Sequence, residues 1–233
     1  MKVQTSILFG ALVLFATPMV GAHVSIVSGA AFANTSQIVT FGVGHGCAGA
    51  DTFSVEVTIP PSVTSVRLLP SEFGRATFQT DSAGAVTSVT WQKELSAVLP
   101  ADTGYYELRV RFRVPDAPFS TVYFPSRQTC RAANGTMTTT DWVGLPGMMG
   151  PDGGMLEPAP ALVVLPARQP GWNRYTVARD VSDLATYFRD ASIVWSGAAA
   201  YSINPSTATL ITSTPGVTAL TTIRASEQIW VRY

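Results

Sequence analysis

Residues 108–114 alternate strictly between apolar side chains and arginines, so only a β-strand places every apolar group on one side. Such a strand lies with one face in a core and the other in water. The same period of two recurs at residues 37–41, 53–59 and 86–91. No helical period of useful length interrupts residues 23–166, so this part of the chain is predicted to be built from strands.

Proline and glycine separate these strands at short intervals. Pro60-Pro61, Pro70 and Pro115 lie between predicted strands. The spacing predicts eight to ten short strands, which suits a two-sheet sandwich. Residues 144–160 hold many glycines and prolines and are predicted to form a long loop, a kind of segment that is often functional. Residues 161–165 follow as a buried strand.

The pattern changes after about residue 170. Residues 180–189 have helical spacing, and Asn204-Pro205 supplies an N-cap followed by proline at the first helical position. Short strands are predicted between and after these two helices, at residues 192–195, 217–220 and 228–231. Residues 167–233 are therefore predicted to form a small α+β C-terminal extension.

The first 22 residues have the organisation of a secretory signal peptide. Lys2 precedes an apolar run at residues 7–15, and residues 20–22 give a small-x-small cleavage pattern. We therefore expect an exported protein, periplasmic or secreted, whose mature chain begins at His23.

The charge balance argues against a nucleic-acid partner, and the hydropathy argues against a transmembrane segment after residue 22. Charged residues make up 13% of the chain, and 15 basic residues balance 15 acidic ones, so no basic face stands out for nucleic acid. After residue 22 no uninterrupted apolar stretch reaches the roughly 20 residues that span a bilayer. We expect no nucleic-acid partner and no transmembrane segment in the mature chain.

Cys47 and Cys130 are the only two cysteines. An even pair in an exported chain predicts a disulfide, because the compartment is oxidising. The alternative is a pair of thiolate ligands for a cuprous ion.

Cleavage before His23 would give this residue two nitrogen donors, the α-amine and the imidazole, which can close a chelate ring on one metal ion. Nitrogen donors in tetragonal geometry suit Cu(II). An ordinary exposed histidine is the alternative. The one other histidine, His45, is either a second ligand or, as we favour, a turn residue beside the disulfide. Met148, Met149 and Met155 of the long loop could supply soft thioethers.

Several segments, taken in order, resemble the YcnI-like (DUF1775) family of exported copper-binding proteins. They are His23–Ile26, Gly44–Cys47, Asp51-Thr52, Val55–Pro60, Tyr123–Pro125, Gln128–Cys130, Trp142 and Glu157–Pro160. The resemblance covers residues 23–166. It implies a mainly β, cupredoxin-like or immunoglobulin-like β-sandwich, to which the α+β extension is appended.

The resemblance also implies a single-histidine brace that holds one Cu(II) per chain. His23 matches the first residue of the brace, Trp142 matches a tryptophan close to the metal, and Glu157 is the best match for a carboxylate. Asp141 and Asp152 are alternatives for the carboxylate, because the glycines and methionines of the loop lengthen the spacing. Without a metal, the tryptophan would be a core aromatic and the glutamate a solvated acid.

The resulting expectation is a Cu(II)-binding protein of copper homeostasis or trafficking that is not an enzyme and exchanges copper with other envelope copper-handling proteins. A metal-free adhesion or interaction module is the main alternative. A copper-dependent polysaccharide oxygenase is a weaker one, since it requires His45 on the metal. A blue-copper site needs two histidines and a cysteine with a weak axial methionine, and here both cysteines are predicted to be bridged.

Overall fold

The structure is a computed structural model that describes residues 23–233, so the predicted signal peptide lies outside the described residues. Strands dominate the architecture. The strands are β1 (Val24–Ile26), β2 (Ala31–Phe32), β3 (Ser36–Val43), β4 (Asp51–Thr58), β5 (Thr64–Leu68), β6 (Arg75–Thr80), β7 (Val86–Gln92), β8 (Tyr106–Arg113), β9 (Ser120–Tyr123), β10 (Ser126–Arg131), β11 (Met137–Trp142), β12 (Ala161–Leu165), β13 (Trp172–Thr176), β14 (Ile193–Ser196), β15 (Ala199–Tyr201), β16 (Thr218–Ala219) and β17 (Gln228–Arg232). The helices are α1 (Leu184–Tyr187) and α2 (Pro205–Ser213), with a 3₁₀ turn at Leu95–Ala97.

The first twelve strands form a β-sandwich with one core. One sheet has the order β1-β3-β8-β5, a second has the order β11-β10-β4-β7-β6, and a small third sheet has the order β2-β12-β9. Their inner faces supply a continuous buried cluster that includes Phe41, Trp91, Phe112 and Phe124. The predicted mainly β sandwich is confirmed.

The sandwich has twelve strands, and the prediction of eight to ten was therefore wrong. Strands β1 and β2 have three and two residues, which is too short for a period of two to be visible in the sequence. The strongest sequence signal is confirmed in detail. Strand β8 lies between β3 and β5, with its apolar side chains buried and its arginines exposed.

A disulfide joins Cys47, in the segment before β4, to Cys130 in β10, with the two Cα atoms 5.6 Å apart. No cysteine among residues 23–233 is free. Because both cysteines are in the disulfide, the alternative in which they bind a cuprous ion as two thiolates is excluded. It also ties the segment that contains His45 to the second sheet.

The C-terminal extension has its own sheet, in the order β13-β17-β14-β15-β16, and its own buried cluster. Phe119, from the sandwich, is 1% exposed within that cluster. The hydroxyl groups of Thr121 and Tyr187 lie 3.0 Å apart across the same boundary. The extension is therefore docked onto the sandwich.

The helix predicted over residues 180–189 is shortened to α1. Asp183 accepts a hydrogen bond from the N–H of Thr186 at 3.1 Å and caps the helix at this point. Val181 cannot join the helix because it pairs with Ile223 in an antiparallel bridge.

The second helix begins where the sequence predicts. The side chain of Asn204 accepts the N–H groups of Ser206 and Thr207, and proline follows it at the first helical position. Strand β13 is not visible in the sequence, because its residues alternate between exposed and half-buried positions and none is fully buried. No helix in the described part of the chain has the length and apolar character needed to cross a bilayer.

Candidate metal centre

His23 lies directly before the edge strand β1. The next residue, Val24, is 1% exposed and pairs with Val43 of β3, so packing fixes the chain immediately after the histidine. Nε2 of His23 lies 3.6 Å from Oε2 of Glu157. The imidazole centroid is 5.2 Å from the ring centroid of Trp142, at an interplanar angle of 52°. The structure thus brings together the three side chains that the sequence analysis selected.

Trp142 is the last residue of β11 and is buried. Its indole N–H donates to Oε1 of Gln128 on the neighbouring strand β10, at 3.3 Å. The amide nitrogen of Gln128 donates in turn to the carbonyl oxygen of His45, at 2.7 Å, and to the hydroxyl of Thr52, at 2.9 Å. This network holds in place the indole ring that lies beside His23.

Gln128 was not selected from the sequence as a site residue, although a signal was available. It alternates with Cys130 on β10, and alternate residues of a strand share one face. In the structure both residues are buried, so Gln128 and the disulfide share one buried face of β10. A buried amide needs hydrogen-bond partners, which makes it a marker of a polar network in an otherwise apolar core.

Glu157 closes the base of the long loop. The N–H of Gly144 donates to the carbonyl oxygen of Glu157 at 2.7 Å, and the N–H of Ala159 donates to the carbonyl oxygen of Gly144 at 2.9 Å. A Cβ at position 144 would lie 2.7 Å from the carbonyl oxygen of Leu156, so this close approach requires glycine. The closed base sets the Glu157 carboxylate beside His23.

The two alternative carboxylates make their hydrogen bonds elsewhere. Asp141 accepts two hydrogen bonds from the guanidinium of Arg127, at 2.7 and 2.9 Å, and these bonds hold the pKa of Asp141 below its usual range. Its side chain points away from that of Trp142, because neighbours on a strand face opposite sides. Asp152 accepts the N–H of Gly154 within the loop, at 3.1 Å.

His45 lies in the turn that precedes Cys47. Its Nδ1 contacts the carbonyl oxygen of Gly46 and lies 3.9 Å from Oδ2 of Asp102. Its own carbonyl oxygen is held by Gln128. These contacts agree with the interpretation of His45 as a turn residue beside the disulfide.

The donors around His23 are suited to a small nitrogen and oxygen site. No group of three or more His, Cys, Asp and Glu side chains within residues 23–233 is placed to hold a metal ion. The cluster instead contains one imidazole and one carboxylate, with side chains 42% and 53% exposed. A chain that begins at His23 adds its α-amine. Two nitrogens and one oxygen fit the tetragonal preference of Cu(II), and the face of Trp142 favours a nearby cation.

Replacing Gln128 with leucine should lower the free energy of unfolding by about 2 kcal/mol, because the buried indole N–H and the hydroxyl of Thr52 would lose their partner. Urea unfolding monitored by circular dichroism measures the change. The matched control is Gln79→Leu on the exposed strand β6, which should shift stability by no more than about 0.5 kcal/mol. Equal losses in the two variants would show that the network does not stabilise the fold.

Comparison with known proteins gives a family and a fold neighbour. No curated protein matches the chain. An uncharacterized protein from Nocardia farcinica, whose crystal structure revealed an immunoglobulin-like fold, is similar to it, with 28% identity and a TM-score of 0.47 over 61% of this chain and 98% of that one. The major pilin subunit BcpA of Bacillus cereus is more distant, with 10% identity and a TM-score of 0.37 over 67% of this chain and 42% of that one. Residues 23–165 match a domain of unknown function, DUF1775, and the chain therefore belongs to the DUF1775 family.

Proposed function

We propose that this protein is exported to the periplasm, binds one Cu(II) per chain through His23, and acts in copper homeostasis or trafficking. The observation that carries the proposal is the meeting of the His23 imidazole with the Glu157 carboxylate, at 3.6 Å, and with the Trp142 ring, at 5.2 Å between centroids. His23 lies more than a hundred residues before Trp142 and Glu157 in the sequence, and the fold brings the three together at one edge of the sandwich.

Each residue has a separate role in this proposal. His23 supplies the imidazole and, after removal of residues 1–22, the α-amine. Glu157 supplies a negative charge that offsets part of the charge of the ion. Trp142 covers one side of the site with its π face, and Gln128 keeps that face in place. Because the nitrogen donors must be deprotonated to bind, acid should weaken the affinity.

The exposure of the site favours exchange of the metal over permanent storage. Both the His23 and Glu157 side chains are about half exposed, so a partner protein can approach the ion directly. The Trp142 side is closed, since that residue is 4% exposed. We therefore propose hand-over of copper to or from other envelope proteins, without a catalytic step on this chain.

Tryptophan fluorescence tests the proposal on protein processed to His23. Cu(II) should quench the fluorescence until one equivalent is bound, and most of this quenching should disappear in Trp142→Phe. The matched control is Trp230→Phe, which alters an exposed tryptophan of the C-terminal extension and should leave the quenching intact. Quenching that is absent, or that survives unchanged in Trp142→Phe, would count against the site.

A further inference from the structure

Half of the methionines of the chain fall within eight residues of the long loop. Six methionines are present, and Met148, Met149 and Met155 are three of them. Methionine is among the residue types most often buried, yet these three are 46%, 60% and 90% exposed. Core packing therefore does not account for them, least of all for Met155.

Two of these methionines are held opposite each other. Met149 and Met155 are partners in an antiparallel bridge, and the N–H of Gly150 donates to the carbonyl oxygen of Gly154 at 2.8 Å just beyond the pair. Directly opposite residues project to the same face, with Cβ atoms about 4.5–5.5 Å apart. A methionine side chain has three rotatable bonds, so both sulfur atoms can turn towards one ion.

The tip of this hairpin is ordered by its own hydrogen bonds. The N–H of Gly153 donates to the carbonyl oxygen of Gly150 at 2.9 Å, and Asp152 accepts the N–H of Gly154 at 3.1 Å. A Cβ at Gly150 would lie 2.9 Å from the carboxylate of Asp152, so the tip is closely packed. The methionine pair is thus positioned by backbone bonds, and the nearby carboxylate supplies negative charge that favours a cation.

From this arrangement we infer a second metal site, in which the thioethers of Met149 and Met155 bind a soft monovalent ion, Cu(I) or Ag(I). Thioethers select soft ions of this kind, whereas Ca²⁺, Mg²⁺ and Mn²⁺ prefer oxygen donors. The site shares no donor with the cluster around His23, so it does not depend on the proposed Cu(II) function. It lies close to that cluster in the chain, because Met155 is two residues before Glu157.

The first test is an Ag(I) titration of protein that carries ¹³C-methyl methionine, observed by NMR. The variant His23→Ala serves as the background, so that the result is independent of the Cu(II) site. We expect the methyl signals of Met149 and Met155 to shift together and to saturate at one equivalent. Met137, which is 46% exposed on β11, should not shift. Equal shifts of Met137 and the loop methionines, or no shifts, would overturn the inference.

A second test measures affinity for Cu(I) under reducing conditions by competition with a chromogenic chelator. The double variant Met149→Leu/Met155→Leu should bind Cu(I) at least about tenfold more weakly. Loss of an outer group that only supports a ligand already costs about 10–100-fold in metal affinity, and this variant loses both ligands. The control Met137→Leu should bind as the parent does. All three positions are exposed, so the thermal midpoint should not move. Unchanged Cu(I) affinity in the double variant would contradict the site.

Discussion

Acetylation of the His23 α-amine should weaken Cu(II) binding by about a hundredfold or more. The acetylated nitrogen is an amide and no longer closes a chelate ring with the imidazole, and even the loss of a group that only supports a ligand costs about 10–100-fold. Competition titrations with a Cu(II) chelator on the processed and acetylated proteins measure the ratio.

The fold provides an internal control for this prediction. Val24 is buried and paired with Val43, whereas the His23 side chain is 42% exposed. Acetylation at this exposed residue should therefore leave the thermal midpoint unchanged. The processed variant His23→Ala, which keeps the amine and loses the imidazole, should also bind weakly. Affinities that agree within a factor of two for processed and acetylated proteins would exclude the amine as a ligand.

Replacing Lys93 with methionine should lower the free energy of unfolding by about 3–5 kcal/mol. Its ammonium lies 2.6 Å from Oδ2 of Asp51 and 2.7 Å from the hydroxyl of Tyr106, and Asp51 is fully buried. Burial and the hydrogen bond to Asp51 raise the pKa of Tyr106, so the hydroxyl stays protonated and donates to Oδ1 at 2.6 Å. Without Lys93 the Asp51 carboxylate would remain buried without a counter-charge.

Urea unfolding measures this loss, and two further variants identify its cause. Arg109→Met removes an exposed cation from β8 and should change stability by no more than about 0.5 kcal/mol. Adding Asp51→Asn to Lys93→Met should recover part of the loss, because the amide oxygen can still accept the N–H of Leu99 and carries no charge. If the double variant lost as much free energy of unfolding as the two single variants lose together, a buried charge would be refuted as the cause.

The elements that could be predicted from the sequence are those with a local signal. The alternation in β8 and the Asn204-Pro205 start of α2 each depend on a few neighbouring residues, and both are confirmed. Strand β13 has no fully buried residue, so it carried no comparable signal. The buried network joins Lys93 and Tyr106 to Asp51 across 42 and 55 residues, and no local pattern reveals such a partnership.

The candidate site also has parts that could be predicted from the sequence and a part that required the fold. His23 was identified by its position after a cleavage pattern, and Trp142 and Glu157 by a family resemblance. The choice among three carboxylates depends on the path of the loop, which is set by the hydrogen bond that closes its base at Glu157. Asp141 is next to Trp142 in the sequence but lies on the opposite face of β11, where Arg127 holds it. Spacing alone could not separate these possibilities.

Electron paramagnetic resonance of processed protein loaded with one equivalent of Cu(II) tests the central claim most directly. We predict a single tetragonal Cu(II) species with hyperfine coupling to two nitrogens, one from an imidazole and one from an amine. In protein acetylated at the His23 α-amine the amine coupling should be lost. A spectrum of free or heterogeneous Cu(II), or one that is identical in the two proteins, would contradict a copper site built on His23.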